Sequence, residues 1–299
     1  MGSLTTFPKD RFVDGKHVPL DEENVIDRMI RARVACHNVA NWIDSDEPVS
    51  NMGRKQAADP VILSQEELEA KAAAGEGTYG HTAVVEPADL ELYETFMYPP
   101  LRMPEKPEVM VSYWDMNDGT VTRFMEGRIM VKALCPDGIE SWLVISVPVP
   151  NFHTCLEGNR WGWPKYVCDE MTVERDHSEC IYEGKPSLTM DFTSHDFDEA
   201  TIKQLEERGT EGGNTISFHM SIHSAGLPTL MRQGSGPRSK NEDGTYYAEW
   251  EAGMVKIWGR PEDKWSRLLP ENCEVPGVWM RRIRTGANVG GGMRKLGAG

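Results

Sequence analysis

The run Val121-Thr122-Arg123-Phe124-Met125-Glu126-Gly127-Arg128-Ile129-Met130-Val131-Lys132-Ala133-Leu134 decides the fold class. Read as a strand, it places Phe124, Glu126, Arg128 and Met130 on one face and Met125, Gly127, Ile129 and Val131 on the other. Both faces are mixed. A carboxylate and a guanidinium two residues apart between apolar neighbours fit the polar floor of a cavity inside a barrel, whereas on an exposed edge they are an ordinary ion pair.

The same texture recurs on both sides of this run. Val109 to Asp115, Glu140 to Val149, Tyr166 to Glu174, Leu188 to Phe192, Thr215 to Ile222 and Tyr246 to Trp258 are alternating or β-branched. Turn signals such as Asn117-Asp118-Gly119 and Pro136-Asp137-Gly138 separate them. The pattern predicts a mainly β (α+β) domain whose antiparallel sheet closes, or partly closes, into a barrel. Two helices are expected inside it, Asp89 to Met97 after Pro87 and Asp198 to Arg208 before Gly209.

Residues 1–77 read as a helical N-terminal extension. Val25, Ile26, Met29, Ile30, Val34, Trp42 and Ile43 keep mostly helical spacing, Asp21 is placed to cap, and Leu20 with Val25 to staple the entry. Ser64-Gln65-Glu66-Glu67 is a capping box that opens a second, short helix, which Gly75 and Gly77 end. Residues 78–285 form the β domain, and 286–299, with six glycines, a flexible tail.

The chain has 299 residues, with 47 Asp plus Glu against 32 Lys plus Arg and a formal net charge of −15. This acidity repels phosphate backbones and anionic lipid and argues against nucleic-acid and membrane partners. The six cysteines form no C-x-x-C pair and read as reduced thiols. No apolar run approaches the roughly 18 residues of a membrane span, and no signal-peptide core opens the chain, so a cytoplasmic location is expected. Met1-Gly2-Ser3-Leu4-Thr5-Thr6 satisfies the loose myristoylation pattern without a second anchor beside it.

The most unusual string is Asn159-Arg160-Trp161-Gly162-Trp163-Pro164-Lys165-Tyr166. Pro164 fixes its own φ and pushes Trp163 toward extended geometry, so Lys165 leaves a stiff corner beside the rings of Trp161, Trp163 and Tyr166. Rings that exclude water disfavour an ammonium and free the amine to attack a carbonyl carbon. In the plainer arrangement Trp161 and Trp163 are core anchors and Lys165 snorkels to solvent.

The stretch from about Thr78 to Thr285 resembles the acetoacetate decarboxylase family. Its Schiff-base lysine follows an aromatic-Pro step, as Lys165 follows Trp163-Pro164. Tyr98-Pro99-Pro100-Leu101, Phe124-x-Glu126 placed 39 residues ahead of Lys165, Pro148, Tyr182-Glu183-Gly184-Lys185 and the Gly253 to Pro270 segment follow in the family's order. The resemblance implies a barrel-like fold, a lysine imine as electron sink and no metal or organic cofactor. Of the family's catalytic set only Lys165 and Glu126 carry over. Tyr166 stands where the decarboxylases place a second lysine, Val111 where they place a second glutamate, and Tyr79, with His81 close by, near their arginine.

The expected function is therefore that of a lyase-like enzyme acting on a ketone or β-keto acid through Lys165 and Glu126. Arg128, Trp161, Trp163, Tyr166, Val111 and Tyr79 are the expected binding residues. Decarboxylation and aldol or dehydration chemistry are both open, and the missing groups favour the second. The alternatives are a non-covalent cyclase or isomerase of specialised metabolism and a non-catalytic small-ligand-binding barrel. The expected partner is a small carbonyl compound, and the N-terminal extension is placed either to cover the barrel mouth or to join copies into a homo-oligomer. His219 and His223 share one face of an expected strand, but no third metal ligand accompanies them.

Overall fold

A computed structural model describes residues 10–13, 16–19, 64–74, 77–97, 100–117, 124–160, 162–210, 215–220, 228–233, 248–282 and 293–295. The strands are β1 (Asp10–Val13), β2 (Lys16–Pro19), β3 (Gly77–Val85), β4 (Val109–Asn117), β5 (Phe124–Leu134), β6 (Glu140–Val149), β7 (Lys165–Val167), β8 (Glu170–Val173), β9 (His177–Tyr182), β10 (Lys185–Ser194), β11 (Thr215–Met220), β12 (Pro228–Gln233), β13 (Ala248–Gly259), β14 (Glu274–Arg282) and β15 (Met293–Lys295). The helices are α1 (Gln65–Ala73), α2 (Leu90–Thr95), α3 (Phe152–Arg160) and α4 (Glu199–Thr210), with a 3-10 turn at Lys264–Leu268.

The main sheet runs β15-β12-β11-β6-β5-β4-β3-β14-β13-β10-β9-β8, and β7 is added on β6. Neighbours are antiparallel except β6–β7 and β6–β11, which are parallel. The sheet curls without closing into a ring among the described residues. The Tyr113 hydroxyl on β4 donates to the Leu188 carbonyl on β10 at 2.7 Å, across a hollow spanned by three intervening strands. His81 on β3 meets Ser178 on β9 in the same way, at 2.9 Å. The expected barrel is thus a partly closed one.

Alternation along the strands creates two interiors. The concave face carries Ala83, Val85, Val109, Val111, Tyr113, Ile129, Val131, Leu143, Leu188 and Val255 in the largest core cluster, which Trp265 and Leu268 help to cover. Each fully buried side chain of this size contributes about 1.5–3 kcal/mol of transfer free energy. On the opposite face, α4 covers Trp114, Met116, Val278 and Met280 with Leu205, while Cys155 of α3 packs on Met130, Val144, Val147 and Val149. Glu126 lies on this second face, between the two smaller clusters.

A β-bulge on β6 links the two faces. Ile129 pairs with Ser146 but Met130 with Val144, so Ile145 has no partner of its own on β5. The extra residue reverses the alternation. Leu143 and Ile145 pack with the concave core, whereas Val147 and Val149 belong to the opposite face. β3 and β4 meet so closely that a Cβ on Gly80 would sit 1.8 Å from the Tyr113 carbonyl oxygen.

Local signals placed the helix starts well. Ser64 N donates to Glu67 Oε2 at 2.8 Å and Glu67 N to Ser64 Oγ at 3.3 Å, closing the expected capping box. Asp89 accepts from Leu92 N and Asp198 from Thr201 N at their own helix starts. The N-terminal section is not purely helical, because β1 and β2 form a hairpin there. The helix expected from Val25 to Ile43 lies outside the described residues. Within the Gly-rich tail, Met293–Lys295 pairs with β12, since an open strand edge binds backbone whatever its side chains.

Candidate active site

Glu126 and Lys165 meet on the face covered by α3. In the β6–β7 ladder Lys165 is registered with Val147, and parallel partners project to the same side, so the Ile145 bulge sets the side on which the lysine emerges. Lys165 Nζ donates to Glu126 Oε2 at 2.6 Å. Arg128, on the same face of β5, donates through Nε to Glu126 Oε1 at 2.6 Å, and its Nη2 contacts the same oxygen. The side chains of Glu126 and Lys165 are 2% and 7% exposed, that of Arg128 17%.

Two aromatic rings enclose the amine. Lys165 Nζ lies 5.3 Å from the Phe124 ring centroid and 5.6 Å from that of Trp163, while Arg128 Cζ lies 5.1 Å from Trp163. Burial by itself raises the Glu126 carboxyl, but the Arg128 guanidinium and then the Lys165 ammonium outweigh it and hold it down at about 2. The carboxylate is therefore ionised throughout the physiological range, shared between two cations. Trp163 Nε1 and Ser112 Oγ, the latter facing Arg128 across β4–β5, are buried donors without a hydrogen-bond partner among the described residues.

The backbone of the lysine is fixed as firmly as its tip. Lys165 N donates to Trp163 O at 2.7 Å across Pro164, and Val147 N to Pro164 O at 3.2 Å. Asn159 Nδ2 donates to the Lys165 carbonyl at 3.0 Å, as does Cys155 Sγ at 3.4 Å. Asn151 caps α3 by accepting from Thr154 N, and Gly162 (φ +76°) ends it, so the helix stops where Trp163-Pro164 turns into β7.

Of the eight expected site residues, Lys165, Glu126, Arg128 and Trp163 come together. Trp161 lies outside the described residues. Tyr166 does not join them, because alternation on β7 turns it to the concave side with Pro148, its registered partner. There its phenol is pushed well above the usual range by burial, beside Ser187 and Ser146, and its ring packs edge-on against Tyr182. Val111 is fully buried in the concave core, and Tyr79 donates to Asp115 Oδ2 at 2.7 Å on that same side. Both are thus separated from Glu126 by the sheet itself: Val111 pairs with Ile129, and Trp114 is the residue facing Glu126.

Phe124, Gly158, Asn159, Cys155 and Ser112 belong to the surroundings of Lys165 or Arg128 without having been singled out as site residues. Phe124 was legible as a member of the Glu126 face. The others depend on a helix and a cross-strand register. The β11 backbone carries His219, but its side chain and His223 lie outside the described residues. Among the described residues no three His, Cys, Asp or Glu side chains gather as a metal site, and no helix is long and apolar enough to cross a membrane.

No family model matches the sequence, and no curated protein matches it. Solved structures do. An acetoacetate decarboxylase superposes with a TM-score of 0.52 at 13% identity, over 74% of this chain and 88% of the other. An acetoacetate decarboxylase-like enzyme from Sphingomonas wittichii RW1 gives 0.50 at 14% identity, over 74% and 91%. An acetoacetate decarboxylase from Legionella pneumophila gives 0.49 at 13% identity, over 86% and 95%. The partly closed barrel that carries Glu126 and the strand that delivers Lys165 form, at low sequence identity, a divergent version of the acetoacetate decarboxylase fold.

Proposed function

We propose that this protein is an enzyme that processes a small ketone or β-keto acid through an imine on Lys165, with Glu126 as its electrostatic and acid/base partner. The observation that carries this reading is a nearly buried amine, between the Phe124 and Trp163 rings, whose nitrogen lies 2.6 Å from an ionised carboxylate. An amine so enclosed has lost most of its water, and the proton it must shed before attack has an acceptor in contact.

Attack of the free amine forms a carbon–nitrogen bond. The carbonyl oxygen takes two protons and leaves as water, giving an iminium. From a β-keto acid, the electrons of the bond to the carboxylate carbon flow into this sink, carbon dioxide departs, and a proton returns to the enamine carbon before hydrolysis. From a ketone or aldehyde pair, the iminium instead loses an α-proton to a base such as Glu126, and the enamine so formed attacks a second carbonyl, whose oxygen takes up a proton. Tyr166 lies behind the strand, which leaves Glu126 and Arg128 to handle protons and oxyanions at the amine.

A second reading has its own observation. Glu126 accepts from Lys165 and Arg128 together, which keeps the amine engaged as a hydrogen-bond donor. In a non-covalent cyclase or isomerase, the two cations would polarise a carbonyl without bonding to it. Borohydride reduction in the presence of a keto-acid panel, followed by mass spectrometry of the Lys165 peptide, separates the two. A stable mass addition at Lys165 supports the imine. Turnover of the true substrate without any addition eliminates it.

A further inference from the structure

Helix α3 touches Lys165 at two places that the reading of the active site leaves unused. A Cβ placed on Gly158 would lie 2.1 Å from Lys165 Cδ, 2.2 Å from Cε and 2.8 Å from Cγ. The lysine stem therefore crosses the helix at the one position with no side chain, in a passage no other residue permits. The next residue, Asn159, uses its amide as a bracket. Nδ2 donates to the Lys165 carbonyl at 3.0 Å and to the carbonyl of Cys155, one turn back, at 2.9 Å. Cys155 Sγ lies 3.3 Å from the same nitrogen, so the two hydrogens of the amide are engaged by acceptors of Cys155 on one side and the Lys165 carbonyl on the other.

We infer that Gly158 and Asn159 are positioning residues that aim the Lys165 amine, Asn159 by fixing the lysine backbone and Gly158 by giving its stem the path that ends at Glu126. The inference rests on Lys165 being the reacting amine. It goes beyond that assignment by locating the cause of the amine's placement in α3. A lysine carries several rotatable bonds, and a free one samples many positions. Here the backbone carbonyl is held from α3, the middle of the chain is pressed by α3, and the tip is held by Glu126. Removing either of the first two contacts releases the third.

A purely structural role gives a different expectation. Gly is a poor residue inside a helix and Ala the best, so Gly158→Ala would only tighten α3 if the helix merely packed there. The test is competitive acylation with acetic anhydride at fixed pH, reading Lys165 by mass spectrometry against exposed Lys256 in the same sample, with circular dichroism as the fold control. Acylation needs neither substrate nor imine, so its outcome is independent of whether the imine reading holds. In the unaltered protein Lys165 reacts at least tenfold more slowly than Lys256. Gly158→Ala and Asn159→Asp, the latter isosteric but without the donor, each raise Lys165 labelling at least fivefold while Lys256 is unchanged.

Native spectra with Lys165 labelling within twofold of the unaltered protein in both variants overturn the inference. If either variant fails to fold, the other decides, with Asn159→Ala as a further variant that removes the same donor: Lys165 labelling within twofold of the unaltered protein overturns the inference, and a fivefold rise supports it.

Discussion

Lys165 Nζ and Glu126 Oε2 are 2.6 Å apart although 39 residues separate them in the chain. The contact joins β7 to β5 across β6, and it is the meeting point of a fixed backbone, a fixed stem and a carboxylate already held by Arg128. Removing the carboxylate leaves two buried cations without their shared partner, whereas removing either cation leaves Glu126 paired with the other.

Replacing Glu126 with Gln keeps the shape but leaves two cations facing each other in a nearly dry site. Loss of one partner from a buried pair costs about 3 kcal/mol. Urea unfolding at pH 7 should show a midpoint lowered accordingly, together with loss of turnover. An unchanged midpoint would place the pair effectively in solvent.

Acid should act through the same carboxylate. Its value in the folded protein, about 2, lies below the ordinary 4.5, so Glu126 contributes stability that is fully present above about pH 4.5 and is lost as the pH falls toward 2. The contribution is of order 3 kcal/mol, since a unit of displacement corresponds to about 1.4 kcal/mol. Urea midpoints of the unaltered protein and Glu126→Gln should therefore converge between pH 4.5 and 2, and a constant gap would contradict the assignment.

Lys165→Met replaces the stem with one of similar bulk and leaves Glu126 paired with Arg128. A stability loss near 1 kcal/mol is expected, well below that of Glu126→Gln, with turnover reduced more than 100-fold. Thermal unfolding and a substrate assay measure the two effects separately.

Tyr166→Phe offers the contrasting case. The phenol lies on the concave side near Ser187 and Ser146, so its removal should cost about 1 kcal/mol while leaving borohydride capture at Lys165 within twofold of the original. A large fall in capture with unchanged stability would return Tyr166 to the binding residues around Lys165.

Gly80→Ala tests the frame. Its Cβ has no room beside the Tyr113 carbonyl, so β3 and β4 must separate, at a cost of about 3 kcal/mol or more. Reduced soluble yield and a lowered melting temperature are the expected results.

The strands with clear alternation were legible. Glu140 to Val149 matches β6 at both ends, and Val109 to Asp115 falls within β4. Tyr166 to Glu174 instead breaks into the short β7 and β8, because Cys168 and Asp169 leave the ladder between them. β3 and β9, with His81, Thr82, Ser178 and Glu179 in strand positions, lack the apolar rhythm that would have marked them, since much of their polarity is satisfied across the hollow. Helix α3 went unseen because Thr154, Gly158 and Asn159 are weak helix formers; tertiary contact with Lys165 explains the last two. Spacing along β5 was enough to align Glu126 with Arg128. Alternation alone turns Tyr166 away from Lys165, but spacing could not reveal that Val111 and Tyr79 look into a different interior from Lys165, because that depends on one unpaired residue in β6.

That residue, Ile145, works as a parity switch for the whole second half of the strand pair. Counting one fewer position there would hand the amine to the oily interior of Tyr113 and Leu188 and offer the phenol of Tyr166 to Glu126 instead. A single-codon deletion, conservative by any measure of composition, would thereby exchange a nucleophile for a phenol without altering one side chain at the centre.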